Sequence, residues 1–329
     1  AIQKTIDACA EAGGGTVTFP AGSYLCSTIY LKSQITFEVG QGAVLLGSKN
    51  LSDYGVSEET DAQGYRVLLR SKNLSDYGAL TEREFCRVAS CAGYFIRGID
   101  LEDVTICGPG VIDGNEAVCE NGNRGPMTIL FEDCRNVTLR DITIIRAPGW
   151  CTTFVECENL RILRVNALNC ECDGINIVGC RQVLYDGCVI DTTNDDPLCI
   201  KNEGRPGDPT RHRYKNVTED VIITNTMIRN TTHPAIKIGT GSSGVFRNIL
   251  VTNCIFENVR SMFTIQLMRP KLEETKERII ENVVFSNVTV RGAHDVFDIT
   301  AMAVDEAAVT DLVFNNLLVS DVKETSKIW

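Results

Sequence analysis

The feature that most constrains this chain is a short strand that keeps returning. Each copy opens on Asn, Asp or Gln, continues with an aliphatic residue and then alternates apolar and polar positions. DVTICG begins at Asp103, NVTLRDITI at Asn136, NLRILRVNA at Asn159 and QVLYDGCVI at Gln182. DVIITNTMI follows at Asp220, NILVTNCIF at Asn248, NVVFSNVTV at Asn282 and DLVFNNLLV at Asp311. The starts at 136, 159 and 182 are 23 residues apart, and the longer intervals read as the same unit carrying loop insertions. Alternation of period two in Val, Ile and Thr is strand, not helix. Strands repeating every 20–40 residues or so without amphipathic helices between them make a solenoid. A propeller blade would need four strands per repeat. The expected fold is therefore all-β, a single-stranded parallel β-helix in which each coil stacks on the one before.

Length alone would suggest two domains, but a continuous repeat overrides that prior and predicts one domain over 1–329. Residues 1–15, AIQKTIDACAEAGGG, read as a helix with Ile2, Ile6, Cys9 and Ala10 on one face and glycines to stop it. Such a helix would cap the apolar end of the first coil. Segments 44–55 and 67–78 are nearly identical, VLLGSKNLSDYG against VLLRSKNLSDYG. Either a coil was duplicated recently or the assembled sequence carries an error. Six N-x-S/T triplets, at Asn50, Asn73, Asn136, Asn216, Asn230 and Asn287, are expected at coil corners, where Asn is a good turn residue.

Composition removes several function classes. A net charge of −11 without a basic patch argues against a nucleic-acid partner. No apolar run approaches the roughly 20 residues of a spanning helix, so no membrane partner is expected. The 15 cysteines are odd in number and mostly single within apolar stretches, as small buried hydrophobes would be. Cys170, Cys172 and Cys180 lack the second pair a zinc site needs, and no metal or cofactor is expected. Free thiols and the lack of a visible leader favour the cytoplasm; trimming before Ala1 would leave secretion or the periplasm open. The sequence does not set the oligomeric state, and a monomer is compatible with it.

A second row of strands carries the chemistry. It runs Asp173-Gly-Ile-Asn-Ile, Asp196-Pro-Leu-Cys-Ile, Pro234-Ala-Ile-Lys-Ile, Phe263-Thr-Ile-Gln-Leu and Phe297-Asp-Ile-Thr-Ala. Equivalent positions in stacked coils lie about 4.8 Å apart. Asp173 and Asp196 should then sit one above the other, with Asp195 joining them. Strict alternation would turn the acids inward beside Ile175 and Leu198, and burying unpaired carboxylates is costly. A bend at Gly174 and Pro197 turns them outward. Three adjacent carboxylates perturb one another, leaving one protonated near neutrality and another ionised, the pair that glycosidic cleavage needs. A calcium site and plain turn-capping acids are the alternatives. Asn176, Cys199, Lys237, Thr264 and Asp298 form an outward ladder on the same face, with Lys201 at a strand end, a groove suited to a polymer.

These motifs resemble glycoside hydrolase family 28, the polygalacturonase-like enzymes. The opening residues, GPGVIDG at 108–114, ECDG at 171–174 and DDPLCIK at 195–201 carry the likeness. It implies a right-handed β-helix, a carbohydrate substrate and hydrolysis with inversion. Asp196 would be proton donor, with Asp173 and Asp195 activating water. Two motifs depart. Pro234 occupies a histidine slot, with His233 one residue early, and Thr264-Ile265-Gln266 replaces an Arg-Ile-Lys clamp for a uronate carboxylate. Either the sugar at the cleavage subsite is neutral or another cation grips it. Lys237 is the leading substitute, then Arg269 and Lys201. Asn176, His233, Gln266 and Trp150 complete the expected binding residues. A polysaccharide lyase, a non-catalytic glycan-binding β-helix and a transferase or epimerase are the rival readings.

Overall fold

The computed structural model describes residues 1–54, 56–60, 66–70, 93–117, 124–202, 217–239, 244–267, 278–301 and 307–328. Among them the chain winds as a parallel β-helix. A 10-stranded sheet runs through Ile29–Tyr30, Tyr94–Ile99, Met127–Glu132, Thr152–Val155, Ile175–Val178, Leu198–Lys201, Ile236–Gly239, Phe263–Leu267, Phe297–Ala301 and Lys327–Ile328. An 18-stranded sheet supplies the other walls as two runs that meet at a bend. The long strand Arg278–Arg291 passes through that bend, pairing with Gly244–Thr252 on one side and Ile255–Glu257 on the other.

The opening residue of each repeat has a backbone reason. Asp103, Asn136, Asn159, Gln182, Asp220, Asn248, Asn282 and Asp311 all take φ between 53° and 58°. Short polar side chains tolerate this left-handed conformation better than others do. They also bond to one another up the stack: Asn136 donates to Asp103 at 2.9 Å, Asn159 to Asn136 at 2.7 Å and Asn282 to Asn248 at 3.0 Å. Asn136, Asn230 and Asn287 from the N-x-S/T triplets sit at such corners, whereas Asn73 and Asn216 lie outside the described residues.

Inward positions stack by type. Val104, Val137, Leu160, Val183, Val221, Ile249 and Val283 pair in register and are buried. Phe131 lies parallel on Phe154 with ring centres 5.8 Å apart. Thiols join the core: Cys157, Cys180 and Cys188 each donate to a carbonyl one coil away, and every described cysteine is free. The helix Ile2–Glu11 packs its apolar face against the first strands, with Ile6 wholly buried.

The near-identical segments take different structures. Ala43–Gly47 occupies a coil between Gly22–Cys26 and Val111–Asp113. Its counterpart at Arg66–Arg70 instead forms an antiparallel pair with Val56–Thr60, and 71–78 lie outside the described residues. The second copy therefore forms an excursion rather than a coil.

Candidate active site

The strands of the 10-stranded sheet stack the second row one residue on another. Asn176 pairs with Cys199, Cys199 with Lys237, Lys237 with Thr264 and Thr264 with Asp298. Leu198, Ile200, Ile236 and Ile238 face the core. Just upstream the chain bends at 194–197, and the amide of Gly174 donates to the Asp196 carbonyl at 3.0 Å. A side chain at Gly174 would meet the Pro197 carbonyl oxygen at 2.3 Å, so only glycine lets these two bends stack.

The acids sit on the outer side of the sheet. One oxygen each of Asp173 and Asp196 and the Cys199 sulfur lie within 4.8 Å of one another, and Asp195 approaches Asp173 as closely. Each carboxylate has its own cation. Lys201 Nζ is 3.0 Å from Asp173, Arg124 2.8 Å from Asp195, and Lys237 Nζ 2.8 Å from Asp196. His233 Nε2 stands 3.7 Å from the other oxygen of Asp195. Each carboxylate therefore has a cationic side chain against it.

The pairs are not equivalent. Burial pushes the Asp173 carboxyl up, but the Lys201 ammonium and then Arg124 outweigh it and hold the group below the usual carboxylate range. Burial likewise raises Asp196. Lys237 offsets part of that, the nearby charges of Asp173 and Asp195 add to it, and the result stays raised. The two carboxyls are thus shifted in opposite directions.

Several candidate residues differ from their expected setting. Three of the expected binding residues, Asn176, Trp150 and Lys201, are buried at 0%, 4% and 5% exposure. The sheet's outer face here lies under a second apolar cluster of Tyr94, Met127, Leu130, Trp150, Val155, Cys172 and Val178. The Lys201 ammonium lies 4.2 Å from the Trp150 ring centre. Lys237 points outward but ends on Asp196 rather than at an unoccupied subsite, since the nearest carboxylate draws the ammonium. Gln266 is half-buried two coils beyond the acids, opposite Gly239. Arg269 lies outside the described residues. Arg124 is the residue the sequence reading missed: it reaches Asp195 across 71 positions, and no local pattern marks such a contact.

A profile of the glycosyl hydrolases family 28 matches residues 37–205, just over half of the chain. The chain belongs to glycosyl hydrolase family 28. The family 28 match includes Asp173, Asp195, Asp196 and Lys201 and ends before His233 and Lys237. An exo-poly-alpha-D-galacturonosidase of Dickeya chrysanthemi is 23% identical, over 99% of this chain and 65% of its own length. A protein named "Probable polygalacturonase" of Vitis vinifera is 24% identical over 76% of this chain and 49% of its own. The chain thus spans about half to just under two thirds of the length of these relatives. The exopolygalacturonase of Thermotoga maritima superposes with a TM-score of 0.67 at 19% identity, covering 99% of this chain and 84% of that one. The polygalacturonase of Erwinia carotovora gives 0.68 at 16% identity, covering 100% and 91%. These likenesses place this family 28 chain in the right-handed parallel β-helix fold.

Proposed function

We propose that this chain is a glycosidase of the polygalacturonase type that cleaves a pectin-like glycan by acid–base chemistry at Asp173, Asp195 and Asp196. The observation that carries the reading is the convergence of three carboxylates from two successive coils, with Lys201 against Asp173 and Lys237 against Asp196; burial raises the Asp196 carboxyl while Lys201 lowers that of Asp173. Asp196 donates to the leaving glycosidic oxygen. Asp173 and Asp195 accept the proton of an attacking water, the bond from the anomeric carbon to the leaving oxygen breaks, and the acid and base states then reset through solvent. His233, next to Asp195 and half-exposed, serves the same water or a sugar hydroxyl. The galacturonan-acting relatives support uronic glycans as the substrate class.

Inversion is the expected stereochemistry. The close approach of Asp173 and Asp196 favours a second reading. Inverting enzymes usually keep about 6.5–9.5 Å between the two carboxyl groups to seat water, and retaining ones about 5–5.5 Å. Oxygens within 4.8 Å are compatible with Asp173 attacking the sugar directly. NMR of the first product anomer from an oligogalacturonide separates the two. Absence of new reducing ends from pectic, rhamnogalacturonan and neutral glycans alike would end the hydrolase reading. Ultraviolet-absorbing unsaturated products would replace it with a lyase.

A further inference from the structure

All three cations at the acid cluster are committed to acids. A sugar carboxylate entering there would compete for a charge already used. The described residues hold another group of cations close by. One coil past His233 a surface cavity of about 460 Å³ opens at the sheet corner. Its lining includes Thr231, Thr232, Arg260, His294 and Lys323. The backbone assembles it coil by coil: the His294 amide donates to the Arg260 carbonyl at 2.9 Å, and the Lys323 amide to the His294 carbonyl at 3.2 Å. Arg260 in turn donates its amide to the His233 carbonyl at 3.1 Å, so the cavity continues the corner that carries Asp195 and His233.

The charges in this cavity are unevenly spent. His294 faces Asp295 at 3.3 Å and Glu324 at 3.4 Å. Among the described residues neither the Arg260 guanidinium nor the Lys323 ammonium has an ion pair or side-chain hydrogen bond. Both are exposed side chains lining the same cavity. They attract anions, and an Arg fork suits a carboxylate. Successive coils climb about 4.8 Å, comparable to one pyranose ring, so a glycan lying along the sheet from the acids reaches this corner.

We infer that the Arg260–Lys323 cavity is a subsite for a carboxylate-bearing sugar residue, set on the C-terminal side of the point of cleavage. The inference rests on the hydrolase reading for the direction of the chain, but its test does not. The test is calorimetric binding of trigalacturonate, and of the same trisaccharide with its carboxyl groups reduced, to the full chain and to an Arg260→Ala/Lys323→Ala variant. A charge-reversed Lys323→Glu variant is the second arm, with circular dichroism confirming that each is folded. The expected result is at least a tenfold weaker trigalacturonate complex in both variants and unchanged binding of the reduced sugar. Equal trigalacturonate binding by wild type and variants overturns the subsite. Equal losses for both sugars also overturn it, since the cavity would then not read charge. If wild type cleaves no glycan yet the tenfold difference persists, the hydrolase reading fails and the subsite stands. If it cleaves galacturonan and the variants bind as wild type does, the reverse holds.

Discussion

The two sides of the acid cluster are built from opposite materials. Toward the N-terminus the sheet's outer face carries Leu130, Thr153 and Asn176 under the cluster of Trp150 and its apolar neighbours, and all of it is covered. Lys201 is sunk there against Trp150 and Asp173, and Arg97, next to Leu130 in the same row, lies over the Tyr94 ring. Toward the C-terminus the face is more open and carries His233, Lys237, Arg260, His294 and Lys323. The first side is a packed wall whose Lys201 holds the Asp173 carboxyl below the usual carboxylate range. On the proposed function, the second side is where a charged polymer would be read. The family 28 match covers the wall and ends before His233 and Lys237.

The largest effect is expected where the sides meet. Asp196→Asn should lower kcat by about 10²–10⁴-fold, the usual contribution of a general acid, with little change in melting temperature. Near-normal turnover would move the acid role to Asp195. Next comes the wall. Lys201→Met leaves Asp173 buried without its counter-charge and should cost about 3–5 kcal/mol, read from urea unfolding. In wild type the folded Asp173 carboxyl lies below its unfolded value. That contribution is therefore present above the ordinary carboxylate range and fades as pH falls through the depressed value. The variant's stability should be flatter across that acid window. A smaller effect is expected at Asn176, whose amide nitrogen and oxygen are both buried without partners among the described residues. Asn176→Val should leave stability unchanged or raise it by about 1 kcal/mol. A loss above about 2 kcal/mol would mean that a trapped water satisfies the amide, and that the wall is polar rather than dry.

How legible each side was in the sequence follows from burial. The coil repeat was readable because its corners need a left-handed residue and its walls need alternation, and both leave marks: Asn136 and Asn159 open their strands, and Val137 and Leu160 follow. The convergence of residues 173, 195 and 196 followed from coil register alone. The wall was not legible. Met127–Glu132, Thr152–Val155 and Ile175–Val178 are buried on both faces, so the outward residues looked like a groove lining when they were a second core. Arg124 and the Arg260–Lys323 cavity were missed for a different reason. Arg124 reaches Asp195 from 71 positions away, and the cavity residues stack on successive coils but outside the strand alternation that the repeat displays.

The smallest expected effect decides what Lys237 does. The sequence reading makes it a clamp for a sugar carboxylate; the structure seats it 2.8 Å from Asp196. Asp196 is also faced by Asp173, Asp195 and the Cys199 thiol. Burial raises its carboxyl and the Lys237 ammonium partly restrains that rise. Removing the ammonium in Lys237→Met should raise the group further. The alkaline limb of kcat against pH, where the donor loses its proton, should then shift upward. Stability should shift with it: a raised acid favours the fold while protonated, and that share is lost as pH rises through the folded value, now at higher pH than in wild type. A clamp would behave otherwise, raising KM for galacturonides severalfold while the limb stays in place. An unmoved limb with a raised KM would assign Lys237 to the side that reads the polymer, and the wall would then end at Cys199.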